Sequence, residues 1–139
     1  MKALTRVLVV DDLDLWQTFV HMQLDREPNL HVIAGAVDGF EAVQKAGELR
    51  PELVILDISL PKLNGIEAAR QIRKLVPQSK ILFLSSNPDP EVVRAAFRAG
   101  GMGYVLKSEA AQSLLPGIEA ALQGKRFISC RRMNLDDLT

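Results

Sequence analysis

Four apolar, strand-like runs in this chain each end in a polar group. The run at 7–10 leads into Asp11 and Asp12, that at 53–56 into Asp57, that at 81–84 into Ser85, and that at 104–106 into Lys107. Helical patterns separate the runs, which is the mark of repeated βα units and a parallel sheet. In an open parallel sheet all strands point the same way, so their C-terminal ends lie along one edge. A chain of this pattern gathers three carboxylates, a hydroxyl and an ammonium at that edge.

The periodicity predicts strands over 6–10, 31–36, 53–57, 81–85 and 104–106, with helices over 13–26, 40–49, 66–76 and 91–99 and a fifth beginning at Ser113. Punctuation agrees. Pro51 and Pro77 follow the second and third helices, Asp89-Pro90 supplies a cap and a first residue for the fourth, and Gly100 ends it. Pro116 inside a longer final helix would remove a backbone hydrogen bond at a cost of about 3 kcal/mol. A start at Ser113 places it in the first turn instead. The expected fold is α/β, a flavodoxin-like doubly wound sheet of five parallel strands in the order 2-1-3-4-5 with five helices. The domain is expected over 1–127, with 128–139, including Arg131 and Arg132, as a tail or linker stub.

At 139 residues the chain is long enough for one core. Its 17 Lys and Arg balance 17 Asp and Glu, so no overall field recruits nucleic acid or an anionic membrane, and no basic recognition helix is visible. The single cysteine, Cys130, has no internal partner and suits a reducing compartment. The apolar run before Asp11 is too short for a signal peptide or a membrane span. The expectation is a soluble, cytoplasmic protein that does not itself bind DNA or membrane.

Three carboxylates at one sheet edge repel one another, by up to about 4 kcal/mol per close pair at an effective dielectric near 20. A divalent cation relieves this, and an open, all-oxygen site favours Mg²⁺. Asp11 and Asp12 taken alone suit capping of the following helix equally well. With Asp57, Ser85 and Lys107 in register, the balance moves to metal. Asp57 then becomes the nucleophile toward a phosphoryl group, and Lys107 a point charge that neutralises the loose transition state. Leu13, Phe19, Val20 and Leu24 read as the inward stripe of the first helix, flanked by Leu15 and Trp16. His21 and His31 have no ligand-like neighbours and are assigned no chemistry.

The segments VLVVDD at 7–12, LDISLPKLNG at 56–65, FLS at 83–85 and AGGMGYVLK at 99–107 together resemble the receiver domain of two-component response regulators, over about residues 5–129. GYVLKS at 103–108 and ALQGKRFIS at 121–129 resemble most the branch whose receivers precede a LuxR-type helix-turn-helix output domain. The resemblance implies a signalling domain, not an enzyme, that takes a phosphoryl group on Asp57 from a histidine kinase or histidine phosphotransfer protein. It further implies that the Ser59 carbonyl completes a metal site with Asp11, Asp12 and Asp57. Ser85 and Tyr104 match the family's switch pair, and Leu15 and Trp16 a kinase-docking patch, although packing at the edge of the core accounts for these two equally well. Homodimerisation through the first and last helices, or through the face of strands 4 and 5, is left open between those two surfaces.

Three positions depart from the family pattern. Ser108 stands where proline often follows the strand 5 lysine, Gly101 where alanine is usual, and Ser85 where threonine is commoner. Two rival readings remain. Asp12-Leu-Asp14 is similar to the first motif of haloacid-dehalogenase phosphatases, in which Asp12 would be the nucleophile, and the fold could serve as a phosphorylation-independent binding module.

Overall fold

The computed structural model describes residues 3–129 and 133–138. Cys130, Arg131 and Arg132 lie outside the described residues. The elements run β1 (Thr5–Val10), α1 (Asp14–Leu24), β2 (Leu30–Ala36), α2 (Gly39–Leu49), β3 (Leu53–Leu56), α3 (Gly65–Leu75), β4 (Lys80–Ser85), α4 (Pro90–Arg98), β5 (Gly103–Leu106), α5 (Ala110–Leu122) and β6 (Phe127–Ile128). All the strand pairings are parallel, and the order is β2-β1-β3-β4-β5-β6. This is the expected doubly wound sheet with one strand more, because Phe127 and Ile128 pair with Gly103 and Tyr104.

Alternation along the strands divides the core in two. Val7, Val9, Leu53, Ile55, Leu82, Leu84 and Val105 face α1 and α5, where Val20, Leu24, Leu114, Ile118 and Ala121 meet them. Leu8, Val10, Val54, Leu56, Ile81, Phe83, Tyr104 and Leu106 face α2, α3 and α4. With both faces covered, β3 is apolar at all four positions, and each such burial contributes about 1.5–3 kcal/mol. That lets a four-residue strand sit at the centre of the sheet.

Helix starts follow the sequence closely. Side chains of Asp38, Asn64 and Asp89 accept from backbone N–H groups in the first turns of α2, α3 and α4, and Pro90 opens α4. Two expectations need correction. The last helix starts at Ala110, not Ser113, and carries Pro116 in its interior. Pro116 is exposed, and Gln112, whose carbonyl loses its helical partner, lies on the same face, so the defect meets water while Leu114, Gly117, Ile118 and Ala121 hold the helix on the sheet. Leu13 is 53% exposed because it is the extended N-cap of α1, one residue before the helical register begins.

The segment after β6 is also packed. The Ser129 N–H donates to the Tyr104 carbonyl at 3.0 Å, its hydroxyl accepts from the Leu106 N–H at 2.8 Å, and Met133 is buried among the residues on the α4 face. A short 3₁₀ turn follows at Leu135–Leu138.

Candidate functional site

The register places Val10, Leu56, Phe83 and Tyr104 in one row across the sheet, so Asp11 and Asp57 follow it side by side, while Ser85 lies two residues and Lys107 three residues past it. Asp11 and Asp57 are buried, and Asp12 is exposed. One oxygen from each of these three carboxylates lies within 4.8 Å of the others. The Lys107 ammonium reaches Asp11 Oδ2 at 2.8 Å and Asp57 Oδ2 at 3.1 Å. Burial pushes the Asp57 carboxyl above its ordinary pKa; the charge of Lys107 draws it back, Asp11 adds to the rise, and hydrogen bonds from Lys107 and the Ile58 N–H oppose it. The capping alternative for the acidic pair finds little support: α1 has no side-chain cap, and Asp11 Oδ1 accepts instead from the Leu13 N–H at 3.0 Å.

The loop bearing Asp57 is held in place by two glycines. A Cβ at Gly65 would lie 1.9 Å from the Asp57 carbonyl oxygen, and one at Gly39 equally close to the Leu63 carbonyl oxygen. α3 and α2 can therefore begin directly against the loop. Ser59 is exposed within it, two residues past Asp57. On the other side, Lys107–Glu109 form a 3₁₀ turn and no peptide bond among the described residues is cis. Ser108 in place of proline leaves this turn its backbone N–H. Gly101 also has a reason: a Cβ there would meet the Phe83 ring at 2.7 Å.

Ser85 and Tyr104 form a second cluster, joined by a residue the sequence did not single out. The Asn87 N–H donates to Ser85 Oγ at 3.1 Å, and the Tyr104 hydroxyl donates to the Asn87 carbonyl at 2.6 Å. Both groups are buried, and the tyrosine ring sits in the α4-facing core, tilted 30° to the Phe83 ring at 6.2 Å. Among the described residues no hydrogen bond joins Ser85 to Asp57. The available signal for Asn87 was its place in the turn-forming stretch Ser85–Pro90, which reads as a loop and gives no hint of a link. Trp16, for which the sequence leaves a docking patch and edge-of-core packing equally open, is half-buried against the α1-side core with its ring 4.9 Å from the Lys107 ammonium. His21 and His31 are exposed and distant from this edge in the fold.

A family model for the response regulator receiver domain matches residues 7–119. The transcriptional regulatory protein DegU of Brevibacillus brevis is 32% identical over 123 residues, covering 88% of this chain and 52% of DegU. LiaR of Bacillus subtilis is 34% identical over 120 residues, covering 86% of this chain and 57% of LiaR. The chain thus spans little more than half the length of these curated relatives. Among solved structures, a LuxR-family two-component response regulator from Aurantimonas sp. SI85-9A1 superposes with a TM-score of 0.86 at 33% identity, covering 97% of this chain and 93% of that one. The response regulator domain of Thermotoga maritima CheB gives 0.81 at 33% identity, covering 86% and 97%. With the match extending from β1 into α5 and enclosing the whole acidic edge, the chain belongs to the response regulator receiver domain family of two-component signalling.

Proposed function

We propose that this receiver accepts a phosphoryl group on Asp57, and the observation that carries the reading is the Lys107 ammonium lying on both buried carboxylates, Asp11 and Asp57. In the transfer, a carboxylate oxygen of Asp57 forms a bond to phosphorus while the bond from phosphorus to the donor's imidazole nitrogen breaks, the electron pair leaving with the imidazole. Lys107, already at hydrogen-bond distance, stays with the charge that accumulates on the phosphoryl oxygens. The Ile58 N–H holds the other Asp57 oxygen at 2.7 Å and fixes the carboxylate's orientation. Asp12 is exposed and makes no ion pair with Lys107 among the described residues, which favours Asp57 over Asp12 as the acceptor.

The donor set suits Mg²⁺: three carboxylates within reach of one another, all oxygen, one of them open to water. Asp11, Asp12 and Asp57, with the Ser59 carbonyl, would hold it. When bound, it would neutralise the carboxylates and the incoming phosphoryl oxygens.

The readout we infer runs through Asn87. The Ser85 hydroxyl accepts from Asn87 but keeps its own proton for a phosphoryl oxygen. Drawing Ser85 toward the phosphoryl group pulls on the Asn87 backbone, and the Tyr104 hydroxyl loses or follows its acceptor. The α4–β5 face then changes shape. The phosphoryl donor is a histidine kinase or histidine phosphotransfer protein, the setting is cytoplasmic, and the output by analogy with DegU and LiaR is transcriptional. The receiver unit extends past the expected boundary at 127, because Ile128 and Ser129 pair with β5 and Met133 packs in its core.

Mass spectrometry after incubation with acetyl phosphate and Mg²⁺ tests the acceptor: one added phosphoryl group in wild type and none in Asp57→Asn is expected, and an equal yield in both overturns it. Amide NMR with and without beryllofluoride tests the relay. Ser85→Ala should lose most of the shifts around Val92 and Tyr104, and a full response in this variant would remove the hydroxyl from the path.

A further inference from the structure

We propose that Trp16 is a positioning residue for Lys107, its indole face forming the third anchor of the ammonium; the proposal rests on the reading that Lys107 serves phosphoryl transfer at Asp57. Lysine carries its charge on a flexible four-carbon stem, and two carboxylates alone leave one side of the ammonium undefined. Here that side meets the Trp16 ring, 4.9 Å from ammonium to centroid, and the Lys107 side chain is only 6% exposed. The ring presents its electron-rich face to a desolvated cation. Its tilt is set by Phe19, which meets it edge to face at 5.2 Å and 72°.

What separates this contact from the two ion pairs is that it is neutral. Phosphorylation of Asp57, or a cation on Asp11 and Asp57, changes the charge of the lysine's two other partners. The indole face keeps the same attraction throughout, so the ammonium retains one anchor while its carboxylate partners are taken over. In this proposal Trp16 acts through Lys107, whose ammonium its ring faces.

The test uses the full chain. With acetyl phosphate and saturating Mg²⁺, Trp16→Leu should lower the maximal rate of Asp57 phosphorylation by about threefold to thirtyfold, the range expected for a desolvated cation–π contact, with the KM for acetyl phosphate unchanged. Trp16→Phe and Trp16→Tyr, which keep a ring face, should recover most of the rate. In a Lys107→Met background Trp16→Leu should add less than a twofold further loss. An equal loss in that background, or a Trp16→Phe protein as slow as Trp16→Leu, would make Trp16 mere packing and overturn the proposal. A second readout needs no phosphorylation. Trp16 is the sole tryptophan, so its emission in metal-free protein should change when Lys107→Met removes the cation from its face. Unchanged emission would overturn the proposal by itself. If wild type and Asp57→Asn take up phosphate equally, the acceptor reading falls while the emission result still decides whether the ring holds the lysine.

Discussion

Removing the Lys107 charge should cost the metal-free domain about 3 kcal/mol, most of which Mg²⁺ should return. The ammonium lies 2.8 Å from Asp11 and 3.1 Å from Asp57, contacts worth about 5–6 kcal/mol each at an effective dielectric near 20. Burying the lysine cancels several kcal/mol of that gain. Lys107→Met removes both quantities but leaves two carboxylates, 3% and 5% exposed, facing each other without a cation. Breaking a buried pair from one side typically costs about 3–5 kcal/mol, and the open mouth at Asp12 argues for the lower end. With a urea dependence of about 2 kcal/mol per molar, the unfolding midpoint should fall by about 1.5 M. The assay is urea unfolding followed by circular dichroism, in chelator and in excess Mg²⁺. A ligand at a hundredfold its Kd stabilises by about 2.7 kcal/mol, and the variant should gain more than wild type because no ammonium competes for its carboxylates. A fall below about 0.3 M in chelator, or equal gains from Mg²⁺ in both proteins, would refute the reasoning.

Because burial raises the Asp57 pKa, the ionised carboxylate fits the folded state less well than the unfolded one, so the group's stabilising contribution is complete below its unfolded pKa and lost as pH rises through the folded value. Asp57→Asn, always neutral, should therefore be more stable than metal-free wild type at pH 7, with the gap closing toward about pH 4; thermal melts across that range check it, and no gap at neutral pH would count against it. Gly65→Ala should destabilise by about 1–3 kcal/mol or more in chemical denaturation, since its Cβ would lie 1.9 Å from the Asp57 carbonyl oxygen. Pro116→Ala restores a helical N–H on an exposed face and should stabilise α5 by up to about 3 kcal/mol, seen as a higher Tm. Asp12→Ala should weaken Mg²⁺ binding in calorimetry, and an unchanged affinity would remove Asp12 from the ligand set.

The acidic edge was legible because it depends on strand direction, which the alternation of strand and helix patterns fixes as parallel, and on the residues at the ends of short continuous apolar runs. What escaped the sequence depended on tertiary packing. β6 has two residues, too few for any periodicity, and exists because β5 offers an unpaired edge. Met133 stands among polar residues with no pattern around it, yet fills a place in the α4-side core. α5 passes through Pro116 because burial of its opposite face outweighs one lost hydrogen bond. Leu13 looked like core from its spacing, but the N-cap conformation turns it out of the stripe. Asn87 acts through its backbone, which side-chain chemistry read from a sequence does not reveal.

The sixth strand changes what kind of partner the switching side of the domain can accept. An uncovered edge strand is a row of free donors and acceptors that invites any extended segment to add itself to the sheet, a hazard for a strand that carries Tyr104 and leads directly into Lys107. Phe127 and Ile128 occupy that row, and Ser129 takes up the Leu106 N–H beyond them. Nothing can pair with β5 by backbone alone without first peeling this segment away. The edge on this side is now β6, whose two residues offer a far shorter backbone ladder than β5 would, so recognition here leans on side chains and shape, which Tyr104 can alter.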